Sequence, residues 1–593
     1  MPGADAIAGD SSRPIVRPSA LHAVLVAAAA FAVYANALPN AFLWDDLFLV
    51  VGNPAIKRWD ALPALFTSDL FPGATRSGYY RPLQALTYAL DYGLWGLAPA
   101  GFRSTNVAWH AASAVLLYAA GVRVLGVATA ALLAALLFAV HPIHVEAVAY
   151  VAGRSDPLSA ALLLGAVLAF LRGDRAGRAV SAGLYFLALL AREAALVLPL
   201  LLLVVERVPL GGVRRPLRAW WPYVLALAVY GALRAVSVEP GATPATAAVP
   251  LGFRLLTTAE VIVHYLAILV VPRGLHMERA VAPVTSLLDP AALAATAVVV
   301  ALVASVVWTR TRAWPVALGV GWFLVALLPV ANVVPLATFM AEHWLYVPVM
   351  GLCLAAGWAA ARTTTGIVLA AAAIVLFGGL TARRTMEWRD ARTLYEHLLP
   401  LAPDSLRVRV NLAQAYQDAG ESARARAAYE EIVRRWPDRP ESADALNNLG
   451  NLERDAGRPQ EALAAFDAAL VLQPNHVAAR NGRALVLQAV GRADEAEREL
   501  AAALAIDPSA ATTHSNLGNL YFRRDDVARA RDAYLEAVRL DPDHADAHNN
   551  LGSAYYRLGE RGLAEREYRT ALRLDPRSAG AQRNLAIVLG GSP

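Results

Sequence analysis

The chain has 593 residues, of which 57% are hydrophobic and only 17% are charged, and its formal net charge is +5. This length exceeds what one hydrophobic core supports, and the composition excludes a disordered chain and argues against an ordinary soluble enzyme. Apolar runs with sparse charge extend to about residue 385, and from Trp388 onward the chain is rich in Arg, Asp and Glu. The sequence therefore predicts two domains, a polytopic helical membrane domain over 1–385 and a soluble domain over 388–593.

Twelve apolar runs are candidate membrane spans, because a span needs roughly 20 apolar residues, or about 17 at the short end. They cover residues 21–38, 106–122, 124–140, 157–171, 179–191, 194–208, 219–237, 256–272, 291–308, 314–331, 347–361 and 366–382. The first run has no clear small-residue cleavage site, so we expect a retained anchor. The single cysteine, Cys353, excludes an intramolecular disulfide and a Cys-based metal cluster.

Arginines in short loops predict the orientation of the spans, because such loops stay on the cytoplasmic side. Three clusters are present: Arg172/Arg175/Arg178, Arg207/Arg214/Arg215/Arg218 and Arg310/Arg312. All three can be cytoplasmic only if one of the twelve runs does not cross, and 256–272 is the weakest, since Glu260 and His264 share one face of it. The expected topology has about 11 spans, with the loop 39–105 and the C-terminal domain outside the cytoplasm.

Prolines recur in the soluble domain about every 34 residues, at Pro403, Pro437, Pro474, Pro508, Pro542 and Pro576. A period of 34 is typical of the tetratricopeptide (TPR) helix-turn-helix repeat. In the first helix of a repeat Gly450, Gly518 or Gly552 supplies a small contact residue, and in the second helix rings such as Phe466 and Tyr534 should fill the space between helices. The pattern predicts about five repeats, a half-repeat around 394–403 and a terminal helix near 579–589, stacked as an α-solenoid.

Stacked TPR repeats form a concave surface that suits extended peptides or partner proteins. Asparagines near the first helices of several repeats have two alternative roles, lining this groove or joining neighbouring repeats. They are Asn447, Asn448, Asn516, Asn549 and Asn550. The residues alone leave both roles open.

Polar groups interrupt the apolar background of the membrane domain, and the expected topology places them all on the outer face. They are Asp45-Asp46 and Arg81 in the first loop, His141, His144, Glu146 and Arg154 after the third span, Arg192 at the end of the fifth, and Glu342-His343 before the penultimate span. Ionisable residues at membrane depth and at span ends are costly and are therefore functional candidates.

These residue types suit transfer from a lipid-phosphate donor. Asp45 or Asp46 can deprotonate or orient an acceptor hydroxyl, and Arg81 and Arg154 can hold the donor phosphate and stabilise its charge. Each group also has a structural alternative, such as a solvated loop, a hydrogen-bonded interior or a headgroup anchor. His141, His144 and Glu146 could also form a metal site, although their spacing is not that of zinc proteases. The chain has no phosphate-binding glycine loop, Walker lysine or Ser-His-Asp order, so a nucleotide-driven or hydrolytic mechanism has no support.

Several segments in one order carry a family resemblance: Trp44-Asp45-Asp46 with Asn53-Pro54, Tyr80-Arg81-Pro82-Leu83, 138–148, Gly153-Arg154-Ser155-Asp156, 341–348 and Trp388-Arg389-Asp390. The sequence resembles the transmembrane-and-TPR protein O-mannosyltransferases (the TMTC family) of the GT-C glycosyltransferase class, and its composition suggests a bacterial member. The resemblance implies a GT-C-like membrane domain and an inverting transfer of a sugar, with mannose expected, from a polyprenyl-phosphate donor. It also implies a catalytic acid in the first outer loop, which here is Asp45 or Asp46.

Two departures from the family pattern concern donor contacts. His343-Trp344 stands where the family often has Arg-Tyr, and Arg192-Glu193 stands where it often has Lys-Glu. Arg192 keeps the positive charge of the lysine at that position, whereas His343 carries a positive charge only when it is protonated.

The sequence therefore predicts an enzyme, a membrane glycosyltransferase that modifies protein Ser/Thr hydroxyls at the periplasmic face of a bacterial inner membrane, with the TPR array recruiting the acceptor. Donor or substrate contacts are expected from Arg81, His141, His144, Glu146, Arg154, Arg192, Glu342 and His343. We expect no tightly bound cofactor or metal and no nucleic-acid partner; a divalent cation is kept as an option. The alternatives are a non-enzymatic TPR scaffold for envelope assembly and a lipid or sugar transporter.

Overall fold

The computed structural model describes residues 17–71, 77–206, 219–239 and 243–590, and in these residues all regular secondary structure is helical. The expected all-α class is thus confirmed. The chain divides into two compact units, Met1–Pro403 and Asp404–Pro593. In this division the half-repeat helix belongs to the first unit, because it packs against the segment that ends the last apolar helix. The domain bounds 1–385 and 388–593 stay a prediction.

The α-helices of the first unit follow the apolar runs of the sequence. They are α1 (Ala20–Tyr34), α2 (Pro82–Trp95), α3 (Pro99–Leu125), α4 (Ala128–Val140), α5 (Val145–Ala149), α6 (Ser155–Phe170), α7 (Arg175–Ala191), α8 (Leu198–Glu206), α9 (Trp221–Ser237), α10 (Leu251–Val270), α11 (Pro290–Thr309), α12 (Trp314–Ala326), α13 (Pro348–Ala360), α14 (Thr364–Thr385) and α15 (Ala391–Leu401). Each of the twelve predicted runs coincides with one of them. Short 3₁₀ turns at Pro142–His144, Val151–Arg154, Glu193–Val197 and Glu342–Leu345 carry four of the ten predicted site residues, His144, Arg154, Glu342 and His343.

Six helices of the described residues are long and apolar enough to cross a membrane, or seven if the bent pair Ala128–Val140 and Pro142–Ala149 is one span. The six are Ala20–Ala37, Pro99–Leu125, Val151–Phe170, Leu251–Val270, Pro290–Thr309 and Thr364–Trp388. The total of about 11 spans stays a prediction. The arginine cluster at 207–218, which entered that topology, lies outside the described residues.

Helix α10 contacts other parts of the first unit at both of its ends. At its start, Arg254 donates a hydrogen bond to the carbonyl of Asn332 (2.9 Å), in the connection between the adjacent helices α12 and α13. At its end, the carbonyl of Leu269 lies 3.0 Å from Nε2 of His141. Glu342, from the same α12–α13 connection, pairs with Arg384, which also approaches the carbonyl of Pro142 beside His141. Leu251–Val270 is also one of the helices long and apolar enough to cross a membrane, so the expectation that 256–272 does not cross stays a prediction.

Small residues let the apolar helices approach one another closely. A Cβ atom added at Gly319 of α12 would clash with the carbonyl of Gly351 of α13, and the reverse is also true. Gly357 of α13 lies in the same way against the backbone of α4 at Ala130. Such small-residue contacts replace the hydrophobic driving force that helices lack in lipid.

The second unit is a series of antiparallel helix pairs, as the 34-residue period predicts. Its helices are α16 (Leu406–Asp418), α17 (Ser422–Arg435), α18 (Ser442–Asp455), α19 (Pro459–Leu472), α20 (Val477–Ala489), α21 (Ala493–Ile506), α22 (Ala511–Arg523), α23 (Val527–Leu540), α24 (Ala545–Arg557), α25 (Arg561–Leu574) and α26 (Ala579–Val588). The ring of Phe466 fills the space beside both Gly450 and Gly482, and Tyr534 lies beside Gly518. The expected role of the rings is confirmed.

Four of the five asparagines named above, all but Asn447, bond to a neighbouring repeat, and Asn447 bonds only to Asn448 of its own helix. Asn448 donates to Oε1 of Gln414 (3.1 Å), and Asn516 donates to Oδ1 of Asn481 (3.2 Å). Asn550 makes the equivalent bond one repeat later, to Oδ1 of Asn519 at 3.0 Å. Of the two roles left open by the sequence, the structure shows contacts between repeats.

Candidate active site

The acidic pair of the first loop lies in an unusual stretch of backbone. Trp44, directly before Asp45, has a φ of 49°, which is rare for a bulky residue and costs conformational energy. Directly after Asp46 the chain makes a π-helical turn, Leu47–Val51, closed by the amide of Gly52 on the carbonyl of Leu47 at 2.7 Å. Strained φ values and single π-turns concentrate at functional sites, so the backbone marks this pair independently of its charge.

Asp46 is fully buried and holds the first loop against the start of the 3₁₀ turn at Val151–Arg154. Its Oδ2 accepts a hydrogen bond from the amide of Leu43 (3.1 Å), and its Oδ1 accepts one from the amide of Ala152 (2.8 Å). Burial raises the pKa of the Asp46 carboxyl to about 7, although the two amides and the charge of Arg103 oppose the shift. With both oxygens occupied inside the protein, Asp46 positions the loop.

Asp45 is only half-buried, and its backbone amide donates to the hydroxyl of Tyr150 at 2.8 Å. Its carboxylate also hydrogen-bonds this hydroxyl. The rings of Trp44 and Tyr395 lie beside this segment, with centroids 6.0 Å apart. Of the two acids, Asp45 is therefore the one whose carboxylate can reach a substrate at the surface.

The raised pKa of Asp46 predicts a pH-dependent loss of stability. The folded protein holds a proton on this carboxyl up to about pH 7, whereas an unfolded Asp releases it near 3.9. The contribution is thus fully present below about pH 4 and is lost as the pH rises through 7. We expect the thermal stability of the wild type, relative to Asp46→Asn, to fall between pH 5 and pH 8 in detergent. A difference that stays constant or grows with pH would contradict this.

A row of ion pairs joins the segments that carry several of the other predicted site residues. Arg81 makes a two-pronged contact with Glu193, with Nη2–Oε1 at 2.6 Å and Nε–Oε2 at 2.9 Å, and its guanidinium stacks on the ring of Tyr79. Burial raises the pKa of Glu193, but the charge of Arg81 outweighs it and lowers that pKa to about 2. Arg192 pairs through Nη1 with Asp156 at 2.8 Å. The adjacent residues 192 and 193 thus bind two different segments.

The second part of the row is centred on the two residues that precede α13. His343 lies with Nδ1 2.5 Å from Oε1 of Glu146 and remains partly accessible. Glu342 is fully buried, and its carboxylate accepts from Nη2 of Arg279 at 2.6 Å and from Nη2 of Arg384 at 2.9 Å. We call these pairs, together with Arg81–Glu193 and Arg192–Asp156, the ion-pair row. The row contains four arginines, four carboxylates and His343.

Arg154 and His141 are held by the protein itself. Arg154 is completely buried, pairs with Asp91 at 2.5 Å and donates from Nε to Oδ1 of Asn106 at 2.7 Å. Its third nitrogen, Nη1, contacts the hydroxyl of Thr87 at 3.2 Å. This placement favours a structural role over the expected phosphate contact. His141 accepts from the amide of Ile143 and contacts the Leu269 carbonyl, so neither of its nitrogens faces a substrate.

His144 is buried among aromatic rings, with the ring of Phe138 4.5 Å and that of Tyr346 4.6 Å away. Neither of its nitrogens has a hydrogen-bond partner among the described residues. His141, His144 and Glu146 do not converge on a point, and the described part of the chain contains no group of three or more His, Cys, Asp or Glu that could hold a metal ion. The absence of a bound metal stays a prediction.

Several residues of the site were missed by the sequence reasoning. Arg384 and Arg279 carry the charges opposite Glu342, and Arg103 holds the first loop by donating to the carbonyls of Asn40 and Ala41. The sequence does mark Arg384 as unusual, because it lies at the predicted outer end of the last apolar helix, whereas arginines near span ends are usually cytoplasmic. Arg279 lies in a loop without regular structure and offers no comparable signal.

Comparisons with known proteins match both units. Tetratricopeptide-repeat family models match residues 378–440, 410–477, 447–511 and 545–578, and a TPR-repeat model matches 518–559. The human protein O-mannosyl-transferase TMTC1 is 27% identical over 507 residues, which cover 73% of this chain and 57% of that protein. Protein O-mannosyl-transferase F38B6.6 of Caenorhabditis elegans is 25% identical over 411 residues, covering 65% of this chain and 59% of that protein.

The chain thus spans less than three fifths of the length of these curated relatives. A solved structure of YrrB, a TPR protein with an unusual peptide-binding site, is 20% identical and covers 32% of this chain and 98% of its own, with a TM-score of 0.25. The relatives match well beyond the repeats, and the repeat models match the second unit. The chain is similar to the TMTC protein O-mannosyl-transferases and carries tetratricopeptide repeats.

Proposed function

We propose that the chain is a membrane glycosyltransferase that moves mannose from a polyprenyl-phosphate donor to Ser or Thr hydroxyls of proteins. The observation that carries the proposal is the ion-pair row within a unit of apolar helices, together with the partly accessible Asp45 on the loop that Asp46 ties to Ala152. Charged groups in such a unit are costly and are retained where they act. The relatives are named as O-mannosyl-transferases, which supports this activity.

The donor phosphate is placed against Arg192. This guanidinium uses Nη1 for both Ser155 and Asp156, and it lines a small cavity of about 30 Å³. One wall of the cavity is charged and the other is apolar, with Val197 and Trp344 among its residues. This lining offers the two chemistries that a polyprenyl phosphate needs, an arginine for the phosphate and apolar side chains for the hydrocarbon. The cavity has room for about one water, so the phosphate would have to displace Asp156 from Arg192 to bind.

The transfer then needs one base and one stabilised leaving group. The Asp45 carboxylate takes the proton of the acceptor hydroxyl while the hydroxyl oxygen attacks C1 of the sugar. The bond between C1 and the phosphate oxygen breaks, and the polyprenyl phosphate leaves with the electron pair, stabilised by Arg192. Attack on the face opposite the leaving group inverts the configuration at C1. His343, partly exposed beside Glu146, can hydrogen-bond the sugar or the phosphate.

The test is transfer of label by the purified full chain. It is incubated in detergent with polyprenyl-phosphate-[14C]mannose and a bacterial periplasmic extract, beside Arg192→Gln. We expect label in protein with the wild type and a large loss with the variant. If label is transferred only from another polyprenyl-phosphate sugar, the donor sugar is not mannose, but the proposed mechanism stands. No label from any such donor, with a folded preparation, would refute the enzyme and leave a membrane-anchored scaffold.

We place the active face and the TPR array in the periplasm of a bacterium, where the array recruits the acceptor protein. The support is that stacked TPR repeats present a concave surface for peptides. A chain that ends at Pro403 keeps the whole first unit. We expect it to transfer label to a short Ser/Thr peptide at a similar kcat and to show at least a tenfold higher KM for a protein acceptor. An unchanged KM for the protein would exclude recruitment by the array.

A further inference from the structure

An open groove of about 880 Å³ runs between α7 and α9, on the side of the first unit where α7 begins. Its α7 wall consists of small residues at helical spacing, including Ala179, Ala182 and Gly183, with Phe186 farther along. Its α9 wall includes Trp221 and Leu225, both more than half exposed. The groove is separate from the ion-pair row, because α7 has 17 residues and therefore spans about 25 Å between Arg175 and Arg192.

The charged end of the groove carries two arginines, Arg175 and Arg178. Arg175 is exposed and has no hydrogen-bond or ion-pair partner among the described residues, and Arg178 donates only to the carbonyl of Gly173 at 3.1 Å. The neighbouring acid, Asp174, caps α7 by accepting from the amide of Gly177 at 2.6 Å. The end of the groove is thus positive, and the start of α7 adds its own positive dipole.

We propose that this groove holds one acidic phospholipid of the leaflet opposite the active face. Its phosphate lies between Arg175 and Arg178, and an acyl chain follows the small residues of α7 past Gly183. A lipid is the occupant because the walls are apolar while the mouth is cationic. Trp221, at the same end, is the residue type that prefers the level of lipid headgroups. The cationic end selects acidic headgroups over zwitterionic ones, since only the former bring net negative charge.

The test is native mass spectrometry of the full chain extracted from nanodiscs of phosphatidylglycerol and phosphatidylethanolamine in equal amounts. We expect the wild type to retain one phosphatidylglycerol at least threefold more often than one phosphatidylethanolamine. Arg175→Gln with Arg178→Gln should remove this preference. Gly183→Phe should remove the retained lipid, because a Cβ at Gly183 meets no atom within 4 Å and the ring can enter the groove without disturbing the packing.

Two controls match these variants. Gly231→Phe places a ring on the exposed side of α9, where a Cβ also meets nothing, and Arg310→Gln with Arg312→Gln removes another arginine pair of the same predicted side. Both should keep the preference for phosphatidylglycerol. Equal retention of the two lipids by the wild type would overturn the acidic site, and unchanged retention in folded Gly183→Phe would overturn the groove as its location.

Discussion

Asp45→Asn is expected to reduce sugar transfer by two to four orders of magnitude while leaving the folded protein intact, because loss of a general base costs about 10²–10⁴ in rate. Asn has nearly the same size as Asp, and the backbone amide of residue 45 can still donate to the hydroxyl of Tyr150. The Asn side chain, however, cannot take the proton of the acceptor hydroxyl. The loss should appear in kcat, since the base acts in the chemical step and contributes little to binding of the donor.

Asp46→Asn is the matched control for this prediction. It makes the same substitution one residue later, but at a fully buried position that ties the first loop to Ala152. We expect some residual transfer together with a change in thermal stability, the reverse of the Asp45→Asn pattern. If Asp46→Asn alone abolished transfer in a fully folded protein while Asp45→Asn remained active, the roles of the two acids would be exchanged.

Glu342→Gln is expected to destabilise the first unit by about 3–5 kcal/mol, the cost of leaving a buried charge without its partner. The carboxylate of Glu342 is completely buried and neutralises both Arg279 and Arg384. It also accepts the backbone amide of His276 at 2.6 Å, so one substitution affects three segments. Unfolding in increasing SDS, followed by intrinsic tryptophan fluorescence, would measure the loss.

Glu193→Gln serves as the graded control, because Glu193 is about one third exposed and has a single arginine partner. There we expect about 1 kcal/mol or less. The double variant Glu342→Gln/Arg384→Gln should lose less stability than the sum of the losses of its single variants. It leaves only Arg279 without its partner, whereas Glu342→Gln alone leaves both Arg279 and Arg384. Additive losses, or a Glu342→Gln variant as stable as the wild type, would show that the pairs carry no stability.

The repeats and the apolar helices are predictable from sequence because their determinants are local and periodic. Pro437 and Pro474 mark successive repeats, and the Asn-Leu-Gly of 448–450 identifies the helix that faces Phe466. The same holds for the twelve apolar runs. No long-range information is needed to find either pattern.

The pairing within the candidate site depends on contacts that sequence distance conceals. Arg81 and Glu193 are 112 residues apart, and Glu146 and His343 are 197 apart. The position of Arg154 beside a span suggested a phosphate contact, and only the fold brings Asp91 from another helix to occupy it. Sequence therefore located the charged residues on one face but could not tell which of them satisfy one another.

The ion-pair row has no net charge when His343 is neutral, since its four arginines face four carboxylates. The electrostatic field of a group without net charge falls off over a short distance. The row therefore does not attract an anionic substrate from afar, as a cluster of unpaired arginines does. A lipid-linked donor would reach the site by lateral diffusion in the bilayer. In the proposed mechanism its phosphate would compete with Asp156 for Arg192, which would make capture reversible and let the spent carrier phosphate leave.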